Sequence, residues 1–373
     1  MKFIALALSF LTVAPNSFDT AVKKKGFGHR LEELRSISQL ESLPERQNGK
    51  PYDGPIIDSL QHVHIGYGQV KRWIEKGNRL PVNPKDLPGI IKSVDVKHAI
   101  TMETPRTKGL RGDDVAIEFG KKHSTYSAFC SPHFVADANR GRDASWRIDR
   151  IDQRLTDGEC IGVGEVGVMH WDKTEKHKQL GLTSDPHSQK LVTIDIDHPN
   201  LHRVFDIVNK HKVPIFLHVE PYNSVRDVDD TQKYMDWYQE ICRQYPHAEF
   251  ILSHNSMMEP EKLDEVFEHC DNFYSQVKIM EHNRWKFYWK FHDLHIVNDM
   301  DYRFKERWAK FIEKWPDRMM FGSDIKLRNF LEKPNNRYNK LIGNLRVMVG
   351  GLDKDVQKKF MYGNAKKVFN LDI

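Results

Sequence analysis

The sequence predicts an α/β fold of the (β/α)8 TIM-barrel class. Three observations carry the prediction. Eight short apolar, β-branched runs recur between residues 56 and 325. Amphipathic helical segments separate several of them, which favours right-handed βαβ units and a parallel sheet. No GxGxxG or GxxxxGK loop follows any run, which disfavours an open nucleotide-binding sheet, the other architecture compatible with the alternation.

The runs are IIDSLQHVH (56–64), VKHAITME (96–103), TYSAFCSPHF (125–134), CIGVGEVGV (160–168), VPIFLHVE (213–220), EFILSHN (249–255), NFYSQVKIM (272–280) and RMMFGSDI (318–325). They are nearly continuous in apolar residues, as strands covered on both faces are. NLHRVFDIVNKHK precedes the fifth run, TQKYMDWYQEICRQY the sixth, KLDEVFEHC the seventh and FKERWAKFIEKW the eighth; KDVQKKFMYGNAKKVFNL reads as a closing helix. Two connections, 169–198 and 281–304, exceed what a minimal loop needs, and both follow a strand. In a barrel they lie on the catalytic face, where long loops shape substrate sites. Within the second, Trp285, Tyr288 and Trp289 with Arg284 or Lys286 suit either a lid over substrate or an ordinary amphipathic helix.

Residues 1–20 read as a secretory signal peptide: Lys2, an apolar stretch from Phe3 to Ala14, then small and polar residues. Residues 21–54 are an irregular lead-in with one helical piece, and 55–373 form a single domain. The expected location is periplasmic or extracellular, and no later stretch is long and apolar enough for a membrane span. The 57 basic and 52 acidic residues give a net charge of +5 with no concentrated basic stripe. The expected partner is therefore a small-molecule substrate rather than nucleic acid or membrane, bound by a soluble monomer or homodimer. Cys130, Cys160, Cys242 and Cys270 show neither CxxC nor zinc-type spacing. Export permits disulfides, but Cys130 and Cys160 fall inside strand runs and are expected as small buried apolar residues.

Ligand-type side chains sit at or near the C-terminal ends of five runs: His62 and His64, then Glu165, His218, His254 and Asp324. Alternate residues of a strand face one side, so both histidines of the HxH pair can reach one ion. In a parallel barrel all five ends open into one mouth. Four imidazoles and two carboxylates converging there form a donor set for one or two divalent ions: zinc first, with manganese, iron and nickel also suited. Singly, each residue has a plainer explanation, Asp324 as a helix cap for example; the joint pattern carries the argument. Glu220 and Asn255, just beyond two of these residues, either orient imidazoles or cap loops.

The ordered set His62-x-His64, Glu165, His218, His254 and Asp324 resembles the amidohydrolase superfamily of metal-dependent (β/α)8 hydrolases. SHN, DRMMFGSD and the closing YGNAKKVF look most like its amidohydrolase-related (amidohydrolase 2) subfamily, and GEVG is similar to the TatD-type hydrolases. The resemblance covers residues 55 to 371. It implies that His62, His64 and Asp324 hold a first ion and that Glu165 bridges to a second held by His218 and His254. In a one-ion site His218 is instead the third imidazole ligand and His254 acts on the substrate. It further implies a metal-activated water as nucleophile, with Asp324 as proton acceptor and donor. One departure stands out: the family's usual Asp two residues before the first His is Leu60 here, and the nearest acid is Asp58. The expected activity is hydrolysis of an ester, lactone, amide or related bond. Non-oxidative decarboxylation is the runner-up, a TatD-like nuclease is disfavoured by the mild charge, and a non-catalytic barrel binding a ligand is disfavoured by the full ligand set.

Overall fold

A computed structural model of the chain describes residues 46–62, 86–103, 112–138, 141–170, 192–223, 228–281, 296–326 and 337–373. The leader, His64, the lid candidates Arg284, Trp285, Lys286, Tyr288 and Trp289, and most of the 169–198 connection lie outside these residues.

Each of the eight runs forms a strand. They are β1 Ile56–His62, β2 Val96–Thr101, β3 Tyr126–Ala128, β4 Val163–His170, β5 Pro214–Val219, β6 Glu249–Ser253, β7 Phe273–Val277 and β8 Met319–Phe321. Parallel ladders join β1 to β2, β2 to β3, and β4 through β5, β6 and β7 to β8. Two links complete the ring. A parallel bridge pairs Cys130, just past β3, with Val163 of β4. Ile325 and Lys326, which continue β8 beyond Asp324, pair in parallel with Gln61 and His62 of β1. The fold is a TIM barrel.

The helices between strands bury one face, as their spacing predicts. In Pro199–His211 the buried residues are Leu201, Val204, Phe205 and Val208, one stripe of an α-helix. In Glu306–Lys314 they are Trp308, Ala309, Phe311 and Ile312. Pro199 and Pro260 each open a helix, where the missing N–H is no loss. Outward-facing strand residues and these helix faces form one apolar layer. A second, interior cluster joins Ile57, Ile100, Phe129, Phe216, Ile251 and Met320 to Ala365, Val368 and Phe369 of the C-terminal segment. Phe369 meets Phe129 edge-on at 5.6 Å between ring centroids. Gly164 is required in β4: a Cβ there would stand 2.8 Å from the Phe216 Cβ.

Strand three is shorter than its run, since Phe134–Ala138 has already turned helical. The cysteines correct a second expectation. Cys130–Cys160 and Cys242–Cys270 are disulfides, with Cα separations of 5.4 and 5.7 Å. The first links the segment after β3 to the segment before β4, which the Cys130–Val163 bridge brings alongside.

Candidate metal centre

The mouth of the barrel is built from residues that close its strands. His62 ends β1 and is fully buried. Its Nδ1 lies 2.9 Å from the Met102 carbonyl oxygen, which can only accept. Nδ1 therefore donates to that carbonyl, and Nε2 faces inward. There Nε2 stands 3.0 Å from Asp324 Oδ1 and 3.6 Å from Glu165 Oε2. One imidazole nitrogen and two carboxylates thus meet at one point, a donor set that suits a cation.

Glu165, in the middle of β4, is 2% exposed. One oxygen accepts from His218 Nδ1 at 2.6 Å, and the same oxygen is 3.8 Å from His254 Nε2. Burial alone would raise its carboxyl; the charge and hydrogen bond of His218 outweigh burial and hold it below the usual carboxylate range. His218, on β5, would be pushed down by burial, but Glu165 and Glu220 lift it to about 9. The two form an imidazolium–carboxylate pair. The other nitrogen of His218 donates to Glu220 Oε1 at 3.0 Å, so Glu220 orients this ring.

His254 begins a tight left-handed turn after β6, in which His254, Asn255, Ser256 and Met257 all have φ between 48° and 57°. Non-glycine residues pay for that conformation, about 1–3 kcal/mol each, and it persists where surrounding contacts enforce it. The Gln276 side chain accepts from His254 N at 3.0 Å, Ser275 Oγ donates to Asn255 Oδ1 at 2.7 Å, and Tyr238 bonds Ser256 at 2.8 Å. Asn255 thus holds the turn rather than an imidazole. Burial, reinforced by Lys278, lowers His254 to about 3 and keeps it neutral. Its Nδ1 is buried without a hydrogen-bond partner.

Asp324 also has a left-handed backbone, φ 50°. Its Oδ2 lies 3.8 Å from His254 Nε2 and forms an ion pair with Lys278 Nζ. Burial would raise the Asp324 carboxyl; the Lys278 ammonium outweighs burial and draws it well below its ordinary value. Asp58 does not reach His62. It accepts from Ser323 N and Oγ at 2.8 and 2.7 Å, from Gln61 at 2.7 Å and from Tyr338 at 2.9 Å. The displaced carboxylate therefore fixes the residue before Asp324, and the Met102 carbonyl does for His62 what the family's Asp is expected to do.

The structure thus brings His62, Glu165, His218, His254 and Asp324 together; His64 lies outside the described residues. Donor atoms of Glu165, His218 and His254 all fall within 4.8 Å of one another, and all three residues are buried. These donors and the inward Nε2 of His62 fit a divalent ion. Donor atoms of His170, His218 and Glu220 also lie within 4.8 Å of one another. However, the His170 and His218 rings stack at 4.4 Å and 19°. In-plane lone pairs of stacked rings run side by side and do not converge, so His170 buttresses His218.

Sequence reasoning missed Lys278 just past β7, and His133 and Glu103, paired at 2.6 Å beyond β3 and β2. The signal was present: each is a charged or imidazole side chain at the end of an apolar run, but none belongs to the HxH–Glu–His–His–Asp order.

A protein-family model described as amidohydrolase matches residues 174–371, just over half of the chain. No curated protein matches. Among solved structures, the chain is similar to 2,6-dihydroxybenzoate decarboxylase in complex with 2,6-dihydroxybenzoate: TM-score 0.51, 14% identity, covering 86% of this chain and 100% of that one. It is also similar to an amidohydrolase II, with TM-score 0.50, 12% identity, and 85% and 100% coverage. A zinc-bound amidohydrolase from Burkholderia multivorans gives TM-score 0.46 at 12% identity, with 85% and 100% coverage. At these identities the likeness is one of fold.

Proposed function

The chain belongs to the amidohydrolase family, and from that premise we propose that it is a metal-dependent hydrolase acting on an ester, lactone, amide or related bond of a small molecule. The observation that carries this reading is the place of Glu165. Its carboxylate lies 2.6 Å from His218, 3.6 Å from His62 and 3.8 Å from His254, between two imidazole groups, as a carboxylate shared by two ions would. His62, with His64 and Asp324, would hold one ion, and His218 with His254 the other; zinc, manganese, iron and nickel all suit these donors. A bound divalent ion supplies Lewis acidity, lowering the pKa of water toward neutrality and polarising the scissile group.

The protein's own groups do the rest. Asp324, held ionised, is positioned to accept the proton of the attacking water and return it to the leaving group. Glu220 and the Met102 carbonyl fix which nitrogen of His218 and of His62 faces inward. The two disulfides support export to an oxidising compartment.

A second reading, non-oxidative decarboxylation at a single ion, draws on the compact Glu165–His218–His254 group, which is sized for one ion. Elemental analysis of purified protein in chelator-free buffer separates the two. Close to two ions per chain supports hydrolysis. Close to one supports decarboxylation. None after incubation with zinc or manganese overturns both.

A further inference from the structure

Lys278 stands one residue beyond β7, at the end of the barrel where the ligand-type residues gather. Its side chain is only 15% exposed, and its ammonium is paired with Oδ2 of Asp324. The other oxygen of that carboxylate faces His62 Nε2 at 3.0 Å. Asp324 is thus claimed from two sides: by the imidazole cluster, where an ion fits, and by a fixed positive charge. Lysine is a compact point charge that cannot itself ligate an ion while protonated. Ser323, Asp324, Ile325, Ile279, Met280 and Glu281 line the cleft around it.

We propose that Lys278 is a positioning residue of the metal centre which competes with the ion for Asp324 and thereby sets how tightly the ion is held. The inference rests on the metal-dependent reading above. Its sign follows from charge alone. If the ion takes Oδ1 while Lys278 keeps Oδ2, a positive charge remains on the far side of a shared ligand, and like charges so close in a poorly solvated site repel. If the ion takes both oxygens, the ammonium must leave a buried ion pair for the cleft. Either way Lys278 weakens metal binding. What it gives in return is a neutralised Asp324: a buried carboxylate that loses its partner is strongly destabilising.

The test is zinc affinity, measured by competition with a chromophoric chelator, on wild type, Lys278→Met and Lys278→Arg. Thermal unfolding of each is followed with and without zinc. The expected result is at least tenfold tighter zinc binding by Lys278→Met and a near wild-type affinity for Lys278→Arg, which restores the charge. Lys278→Met should also unfold at lower temperature than wild type without zinc and recover most of that difference with zinc. Equal or weaker zinc binding by Lys278→Met overturns the competition, as does a loss of thermal stability that zinc leaves unchanged, since a purely structural lysine would behave that way. Failure of all three proteins to bind zinc or manganese would overturn the metal-dependent reading itself, and the inference with it. Binding by Lys278→Met but not by wild type would support the competition in its strongest form.

Discussion

Asp58→Asn tests how the barrel holds its catalytic strand end. Asp58 is fully buried at the junction of β1 and the Gly322–Asp324 segment. Its Oδ2 accepts from Gln61, Ser323 Oγ and Tyr338, and its Oδ1 from Ser323 N. An asparagine with its oxygen at the Oδ2 position keeps three bonds. They become neutral, however, and each loses roughly 1 kcal/mol relative to a charge-assisted bond. Its amide nitrogen then faces the Ser323 N–H, donor against donor, and an unsatisfied buried donor costs about 1–3 kcal/mol. Against that, burial penalises the charged form of Asp58 and raises its carboxyl, so removing the charge returns about 1–2 kcal/mol. The net loss is about 3 kcal/mol, a large part of the 5–15 kcal/mol that typically holds a domain together. Denaturant unfolding measures it directly as a lowered midpoint at constant slope. Ser323→Ala, which removes one hydroxyl and keeps the backbone donor, should cost less, and the two changes should not add. A loss under about 1 kcal/mol for Asp58→Asn, or strict additivity with Ser323→Ala, would refute the clamp.

Three further outcomes are expected. Asp324→Asn should abolish turnover of any substrate found while leaving the circular dichroism spectrum intact; activity within a few-fold of wild type would remove Asp324 as the proton acceptor. Metal affinity should rise with pH up to about 9, because His218 is raised to that value by Glu165 and Glu220 and must shed its proton before it can ligate. Below about 6.5 its pairing with Glu165 contributes its full stability, and that contribution fades as pH passes 9; a pH-independent affinity by isothermal titration calorimetry would contradict this. Reducing Cys130–Cys160 or Cys242–Cys270, which close separations of 30 and 28 residues, should each lower stability by about 3.5 kcal/mol, and an unchanged unfolding midpoint under reductant would argue against the pairing.

Much of the fold was legible in the chain because it depends on periodicity. Continuous apolar runs such as VPIFLHVE and FILS cannot be left in water, and each is bounded by a helix with a single apolar stripe, so a covered parallel sheet follows almost by necessity. The same holds for the residues gathered at the mouth. A strand end fixes where a side chain points, so His62, His218 and His254, at or just past the ends of three parallel strands, open toward one place. Other features depend on which residues meet across the barrel. Asp58 looked like a misplaced ligand-orienting acid; only the approach of β8 to β1 turns it into a clamp on Ser323. The left-handed turn at His254–Met257 has no glycine to announce it, and exists because Gln276, Ser275 and Tyr238 surround it. Lys278 carries no motif and became part of the centre only when the pairing of β7 with β8 placed Asp324 against it. Periodicity and residue type are local properties that a sequence states outright; contacts between strands far apart in the chain, which decide hydrogen-bond partners and the charge each group feels, arise only when the ring closes.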